Sequence, residues 1–395
     1  MKSNNSVPKT TIRTFAAASF LNDLGSDIIY PIWPLFVTTI LKANMAALGF
    51  LDGIGEALVS ISQAVSGYVS DRIKRRKIFI WTGYLFGAIS RLGYSISSLW
   101  THLIPFRMLD RAGKIRGAPR DAMVADISTD KDRGKNFGLL RAMDHLGAVG
   151  GILICILLFT VVGLDYRILF ALAAIPSLIS VILIFFLIKE KKLEKIRIYK
   201  GISLKDLDKN FRLFLLSSSL YALGAFSYSF LLIFAARLGF RESLLPVFYL
   251  VFTGVASLLS IPFGKISDRI GRKSVLILSY IFWAGVCLSA ILTQKRYAAL
   301  IIFILYGTYR GALEPVQRAF VSELAPEKFR ASCLGGFQMV IGLCALPANF
   351  IAGILWEAFG MLVPFAFSLV LTFLSALLLL GVKTPSFPEA CTSPG

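Results

Sequence analysis

Histidine is nearly absent from this sequence, with two residues, His102 and His145, in 395. Cysteine is scarce too. Cys155, Cys287, Cys333 and Cys344 lie in apolar stretches, Cys391 lies in the C-terminal tail, and no two form a CxxC pair. Neither a zinc site nor a disulfide framework is expected, and no metal or cofactor is assigned. Charge is thin, at 16% of residues, where a soluble protein carries about a quarter. Acidic side chains are the scarcer sign, 23 against 42 Lys and Arg. The sequence has no G-x-x-x-x-G-K-[ST] loop to cradle a nucleotide, no H-E-x-x-H and no Ser/His/Asp set. These absences remove ATP as a direct energy source and leave a membrane enzyme without its chemistry.

What remains is mostly apolar. Hydrophobic residues make up 56% of the chain, in recurring runs of about 20 that can each cross ~30 Å of hydrocarbon. Twelve helices are expected at about 12–40, 46–70, 77–97, 100–125, 134–161, 166–188, 211–236, 242–265, 273–293, 297–323, 331–358 and 362–381. The polar, basic Met1–Arg13 precedes a first segment too long for a signal sequence, so no cleavable signal is expected. Lys189 to Asn210 is a charged, amphipathic linker, either a solvated tether or a segment on the lipid headgroups. The Pro-rich tail after Thr384 is expected to be disordered.

The net charge of +19 reflects topology rather than nucleic acid. With the N-terminus in the cytoplasm, 27 Lys and Arg fall in inside segments and 6 outside (Lys42, Arg167, Arg237, Arg241, Lys295 and Arg296). That is the positive-inside bias, and it puts both termini of a multi-pass protein in the cytoplasm.

One stretch occurs twice. Gly67-Tyr-Val-Ser-Asp71-Arg72-Ile-Lys-Arg75-Arg76-Lys77 returns 197 residues later as Gly264-Lys-Ile-Ser-Asp268-Arg269-Ile-Gly271-Arg272-Lys273. Asp126 and Glu323, Arg133 and Arg330, and Gly138 and Gly335 keep the same spacing. A fixed period of half the chain signals duplication. The expected division is residues 1–188, a linker at 189–210, and residues 211–395.

The doubled G-x-x-x-D-R-x-G-R-R/K turn, and the acidic-x6-Arg turn after the fourth helix of each half, resemble the signatures of the major facilitator superfamily. Lys74 stands where the first copy would have glycine. The resemblance implies an all-α membrane fold of twelve transmembrane helices in two pseudo-symmetric six-helix bundles. It further implies a monomeric secondary active transporter that takes a small-molecule substrate by alternating access, with helices 1, 4, 7 and 10 around a central cavity. It also implies that Asp71, Arg72, Arg120 and Asp121, with Gly67, Arg75, Asp126, Arg133 and their counterparts Gly264, Asp268, Arg269, Arg272, Glu323 and Arg330, form a conformational latch. In helix 5, Gly138, Gly147 and Gly151 resemble an antiporter motif, but Ile152 stands where its proline would be. Small residues that let helices approach closely are the other reading of those glycines.

Nine bases fall inside the bilayer: Arg91, Arg107, Arg111, Lys114, Arg116, Arg120, Arg141, Arg310 and Arg318. Charges there are costly unless paired or wet, so each marks a candidate site. Arg107, Arg111 and Lys114 follow at i, i+4 and i+7, and Asp110 can pair with Lys114. Lys114 lies ~18 Å from the inner surface, and Asp23 and Asp27 ~15 and ~21 Å, at 1.5 Å per residue. Asn22 and Tyr30 flank the two carboxylates. Like charges four apart and away from water do not both ionise cheaply, so Asp23 or Asp27 is a candidate proton carrier. Arg141, Asp144 and His145 form a second group, a structural pair or a proton relay. Helix 10 offers Tyr306, Arg310 and Glu314. Asp52 and Glu56 are placed near the outer surface, with Arg91 pairing one of them or snorkelling. Five bases on helix 4 against Asp110 and Asp121 favour a negatively charged substrate, an organic anion or polycarboxylate, coupled to protons. A proton-antiporting drug or metabolite exporter is the alternative, and a receptor-like member or membrane enzyme lies further off.

Overall fold

The structure is a computed structural model that describes residues 6–73, 75–129, 132–190, 207–326 and 330–384. Most of the central linker and the tail lie outside the described residues, as do the side chains of Asp71 and Arg330. Each predicted apolar segment is a helix or a run of helical pieces. The first half contains α1 (Ser6–Ile29, continued by Trp33–Leu35 and a π-turn at Phe36–Ile40), α2 (Met45–Ile73) and α3 (Lys77–Ile96). It goes on with α4 (Leu103–Ala112, a 3-10 turn Gly113–Arg116, then Gly117–Ile127), α5 (Arg133–Cys155, with Ile156–Val161) and α6 (Tyr166–Leu187). The second half contains α7 (Lys209–Gly224 and Tyr228–Arg237), α8 (Leu245–Ile270), α9 (Arg272–Leu292), α10 (Arg296–Leu324), α11 (Arg330–Phe359) and α12 (Val363–Leu380). Among the described residues, nine of these are long and apolar enough to cross a membrane, while α1, α3 and α4, which carry buried charges or a break, are not among them.

Within the first half, α1 lies on α5 and α6, α3 on α6 and α4, and α2 on α4. Within the second, α8 and α9 lie on α10, and α7 on α11 and α12. The halves are joined by α2 with α11, the end of α1 with the second piece of α7, a shorter contact between α5 and α8, and the end of α5 with the turn Glu242–Leu244. The α2–α11 contact is close because its glycines carry no side chain. A Cβ on Gly53 would stand 2.8 Å from the Cα of Leu346. The rest of the surface is a belt of apolar side chains, such as Leu153 and Leu157 on α5 and Leu258 and Ile261 on α8, as lipid requires.

Two interruptions have local causes. After Ile29, Pro31 and Pro34 withhold backbone donors and α1 unwinds; Ile32, Trp33 and Phe36 there are fully buried. These prolines therefore shape packing rather than line a cavity. In α7 the break at 225–227 is stitched by Asn349 of α11, whose Oδ1 accepts the backbone N–H of Ser227 at 2.7 Å. The Ser227 hydroxyl then caps the second piece.

Arg91 does not meet Asp52 or Glu56, and it does not snorkel. It is buried among three helices and makes its bonds without a carboxylate. It donates to the Ala173 carbonyl (3.1 Å), the Asn22 carbonyl (3.2 Å), Ser26 Oγ (2.7 Å) and Ser177 Oγ. A guanidinium has five donors in a fixed fork, enough to tie α1, α3 and α6 together. Arg91→Leu is expected to cost about 2–3 kcal/mol through lost charged hydrogen bonds. The check is a lowered unfolding temperature of the purified protein, with a smaller loss for Arg91→Lys.

The repeated turns staple neighbouring helices. Arg272 pairs with Asp268 and reaches Glu323 at 2.8 Å. In the first half the corresponding partner of Asp126 is Arg76, not Arg75. The first turn is one residue longer, so the register slips from 197 to 196 and Lys77 answers to Lys273. Lys77 Nζ donates to the Phe185 carbonyl (2.7 Å) at the end of α6, as Lys273 Nζ donates to Leu380 (2.6 Å) at the end of α12. The shorter second turn needs φ +90 at Gly271, a backbone that glycine accepts freely. Arg72, Arg269 and Arg133 are exposed.

Candidate functional site

The end of the bundle that carries these turns is open, and the opposite end is shut. At the shut end Tyr228 of α7 donates to the Tyr30 carbonyl (3.4 Å) and stacks edge-on against Tyr249 of α8. Thr160 donates to the Ser243 carbonyl (2.6 Å), and Tyr166 donates to Glu242 (2.7 Å). At the open end a Cβ on Gly138, Gly264 or Gly335 would meet nothing within 4 Å.

The opening leads into a cavity of about 700 Å³. Its walls are Ser19, Asn22 and Asp23 of α1; Ser60, Gln63 and Ala64 of α2; Tyr84 of α3; and Lys114, Arg116, Arg120 and Asp121 of α4. Arg141 and Asp144 of α5, Arg318 of α10, and Gly335 and Gln338 of α11 complete them. Helix α7 contributes no residue to this lining, so the expected set of α1, α4, α7 and α10 is replaced by one weighted to the first half.

Five bases face three carboxylates on these walls. Arg120 holds Asp121 at 3.0 Å and Asp144 at 3.7 Å, and its Nη1 donates to Ser19 Oγ at 2.6 Å. Arg141 reaches Asp144 at 3.5 Å from an exposed position. Arg116 lies over the ring of Tyr84, 4.9 Å from its centroid, and donates to the Gly113 carbonyl at 2.8 Å. Lys114 and Arg318 make no ion pair or hydrogen bond among the described residues. Among the described residues, the only bond to the Asp23 carboxylate comes from the amide of Asn22 (2.9 Å).

Several expected members lie elsewhere. Arg107 is locked behind the wall: it pairs with Asp52 at 2.8 Å and stacks over Trp33 at 4.4 Å, whose indole N–H donates to the same Asp52 oxygen at 3.0 Å. Asp52 is thus buried rather than wet at the outer surface. Asp110 sits against Arg111 at 3.5 Å rather than Lys114, because the 3-10 turn at Gly113–Arg116 breaks the i, i+4 spacing. Arg111 lies over Tyr30, 5.1 Å from the ring centroid. Tyr306 is buried in an aromatic cluster with Phe252 and Trp283. His145 is exposed and does not line the cavity, since consecutive helical residues point about 100° apart. Arg310 and Glu314 pair with each other at i, i+4 on the same stripe of α10 as Arg318.

Asp27 lies above the cavity, buried where the halves meet. Its Oδ1 accepts the hydroxyl of Tyr249 at 3.2 Å, and its Cβ presses on the Gly151 position of α5. A methyl on Gly151 or Gly147 would strike the carbonyl of Leu24 or Phe20, so these glycines serve the α1–α5 approach. Glu56 was not read as a site residue. It is exposed and precedes Ser60 and Gln63 on one stripe of α2, at i, i+4 and i+7. That spacing was legible.

The sequence matches the family model of the Major Facilitator Superfamily over residues 15–260 and again over 213–393. The chain belongs to the major facilitator superfamily. An uncharacterised MFS-type transporter of Methanocaldococcus jannaschii is 34% identical over 371 residues, covering 92% of each chain. Among solved structures, a nucleoside transporter superposes with a TM-score of 0.80 over 95% of this chain and 100% of its own, at 14% identity. A bacterial homologue of the human lysosomal transporter Spinster, inward-facing and unoccupied, gives 0.74 over 97% and 100%, at 13% identity. The superfamily fold agrees with the two six-helix bundles seen here and identifies an integral, multi-pass membrane transporter, not an enzyme.

Proposed function

We propose that this transporter carries a small organic anion, coupled to protons, by rocking its two halves around the cavity. The division into 1–188, 189–210 and 211–395 marks the moving bodies. The turn end is the cytoplasmic side, so the structure is the inward-open state. The observation that carries the reading is the charge of the cavity, with five bases, three of them without an ion pair among the described residues, against three carboxylates. A cavity lined mainly by one sign concentrates the opposite one.

Asp27 is the proton carrier in this reading, and Asp23 the carboxylate that partners the cavity bases Lys114 or Arg116. Asp27 is buried, bonded to a residue of the other half and in no ion pair among the described residues. Its protonation state therefore bears on how the halves meet. Arg120, Asp121 and Asp144 hold the inner wall, while the turns around Arg76 and Arg272 act as the latch when the cavity faces outward.

A ligand-stabilisation screen over organic anions, organic cations and neutral sugars is the test. Anions alone are expected to raise the unfolding temperature, and stabilisation by cations alone would overturn the reading. Sidedness has its own check. A single cysteine replacing Arg269 is expected to react with an impermeant thiol reagent only from the cytoplasmic side, and one replacing Lys42 only from outside.

A further inference from the structure

Two cations in the cavity stand apart from the rest. Lys114 projects from α4 of the first half and Arg318 from α10 of the second, and both line the same cavity. Neither makes an ion pair or a hydrogen bond among the described residues, whereas Arg120 and Arg141 are paired and Arg116 is held by a ring and a carbonyl. Among the acids of α1 and α4, Asp27 is engaged by Tyr249, Asp110 by Arg111 and Asp121 by Arg120, while Asp23 shares the cavity and accepts from Asn22. The nearest acid on the Arg318 stripe, Glu314, is taken by Arg310. Two amides, Gln63 on α2 and Gln338 on α11, also line this cavity from opposite halves.

Building on the proposed anion reading, we propose that Lys114 and Arg318 are the two jaws of an anion clamp whose ligand is an organic dianion or trianion, of dicarboxylate or phosphate-ester chemistry. Like charges lining one cavity repel, and an anion bound between them offsets that repulsion. Without ligand the pair works against closure of the turn end. A ligand with at least two negative charges satisfies both jaws at once and favours the state in which they approach, which is the differential binding that a conformational shift requires. A monoanion satisfies one jaw and leaves the other cation to be buried unpaired, which disfavours closure. The clamp therefore selects on charge number as well as sign.

The test is a spin-label distance between Lys135 on α5 and Ile266 on α8, both exposed at the open end, in the full chain with its cysteines replaced. Citrate and inorganic phosphate are the probes, acetate the monoanion control. Citrate is expected to shift the distribution to shorter distances and acetate to leave it unchanged. Lys114→Gln and Arg318→Gln are each expected to raise the citrate concentration needed by about tenfold or more, equivalent to about 1.4 kcal/mol. Lys265→Gln, outside the cavity, serves as the control. A shift lost in one variant and untouched in the other would overturn the clamp in favour of a one-sided site. A shift untouched in both, or equal shifts with acetate, would overturn it as well. If citrate still raises the unfolding temperature in those cases, the anion reading survives alone; if no anion stabilises the protein, both fall.

Discussion

Asp27→Asn is expected to abolish uphill, pH-driven transport while leaving substrate exchange intact. Asp27 is buried at the junction of α1, α5 and α8, and among the described residues the Tyr249 hydroxyl is the hydrogen-bond partner of its carboxylate. While this end is shut the carboxyl is buried away from bulk water and exchanges no proton with it. When the halves part and water enters, ionisation becomes cheap. Proton release is thereby tied to the conformational change, which is what coupling means. Asparagine keeps the size and an acceptor for Tyr249 but never releases a proton, so the cycle loses its coupling rather than its geometry. Proteoliposomes preloaded with substrate should still exchange labelled for unlabelled solute, and accumulation under an imposed pH gradient should fall to the equilibrium level. Tyr249→Phe removes the hydrogen bond but not the proton and should reduce accumulation only in part. Full uphill transport by Asp27→Asn would pass the role to Asp23 or Asp144, which face the cavity directly.

The second large effect concerns the buried pair behind the cavity wall. Arg107 and Asp52 are both almost fully buried, 2.8 Å apart, with Trp33 bonded to the same carboxylate oxygen and stacked under the guanidinium. Removing one member leaves an uncompensated charge in a medium that cannot solvate it. Asp52→Leu or Arg107→Leu alone should destabilise the protein by about 3–5 kcal/mol. Removing both with apolar residues of similar volume is often close to neutral, because the desolvation cost goes with the charges. The double variant should therefore unfold at a higher temperature than either single one. A double variant no more stable than the singles would mean that the pair holds shape through Trp33 rather than through charge balance.

Most of the architecture was legible because membrane physics writes it in long apolar runs. The twelve segments and the repeated turn needed only length, hydropathy and a period. The site was legible only in its ingredients. Asn22, Asp23, Lys114, Arg116, Arg120, Arg141 and Asp144 do share one cavity. Arg107 and Asp52 were misplaced because sequence spacing puts a residue on a face but does not say which helix that face meets. The Asp110–Lys114 pairing failed where a 3-10 turn broke the helical period. Arg91 is expected from the sequence to pair with Asp52 or Glu56 or to snorkel; its actual partners are backbone carbonyls and serine hydroxyls, which carry no charge signal. The slip from Arg75 to Arg76 came from one extra residue in the first turn, which a fixed offset cannot register.

The central claim is that this cavity carries an organic anion across a membrane at the expense of a proton gradient. Its most direct test is uptake of labelled citrate and of labelled dicarboxylates by proteoliposomes under an inwardly directed proton gradient, compared with vesicles without the protein and with a collapsed gradient. The account predicts accumulation above the external concentration that disappears with a protonophore. Uptake of these anions that merely equilibrates, whatever the gradient, or concentrative uptake of cations in their place, would contradict it.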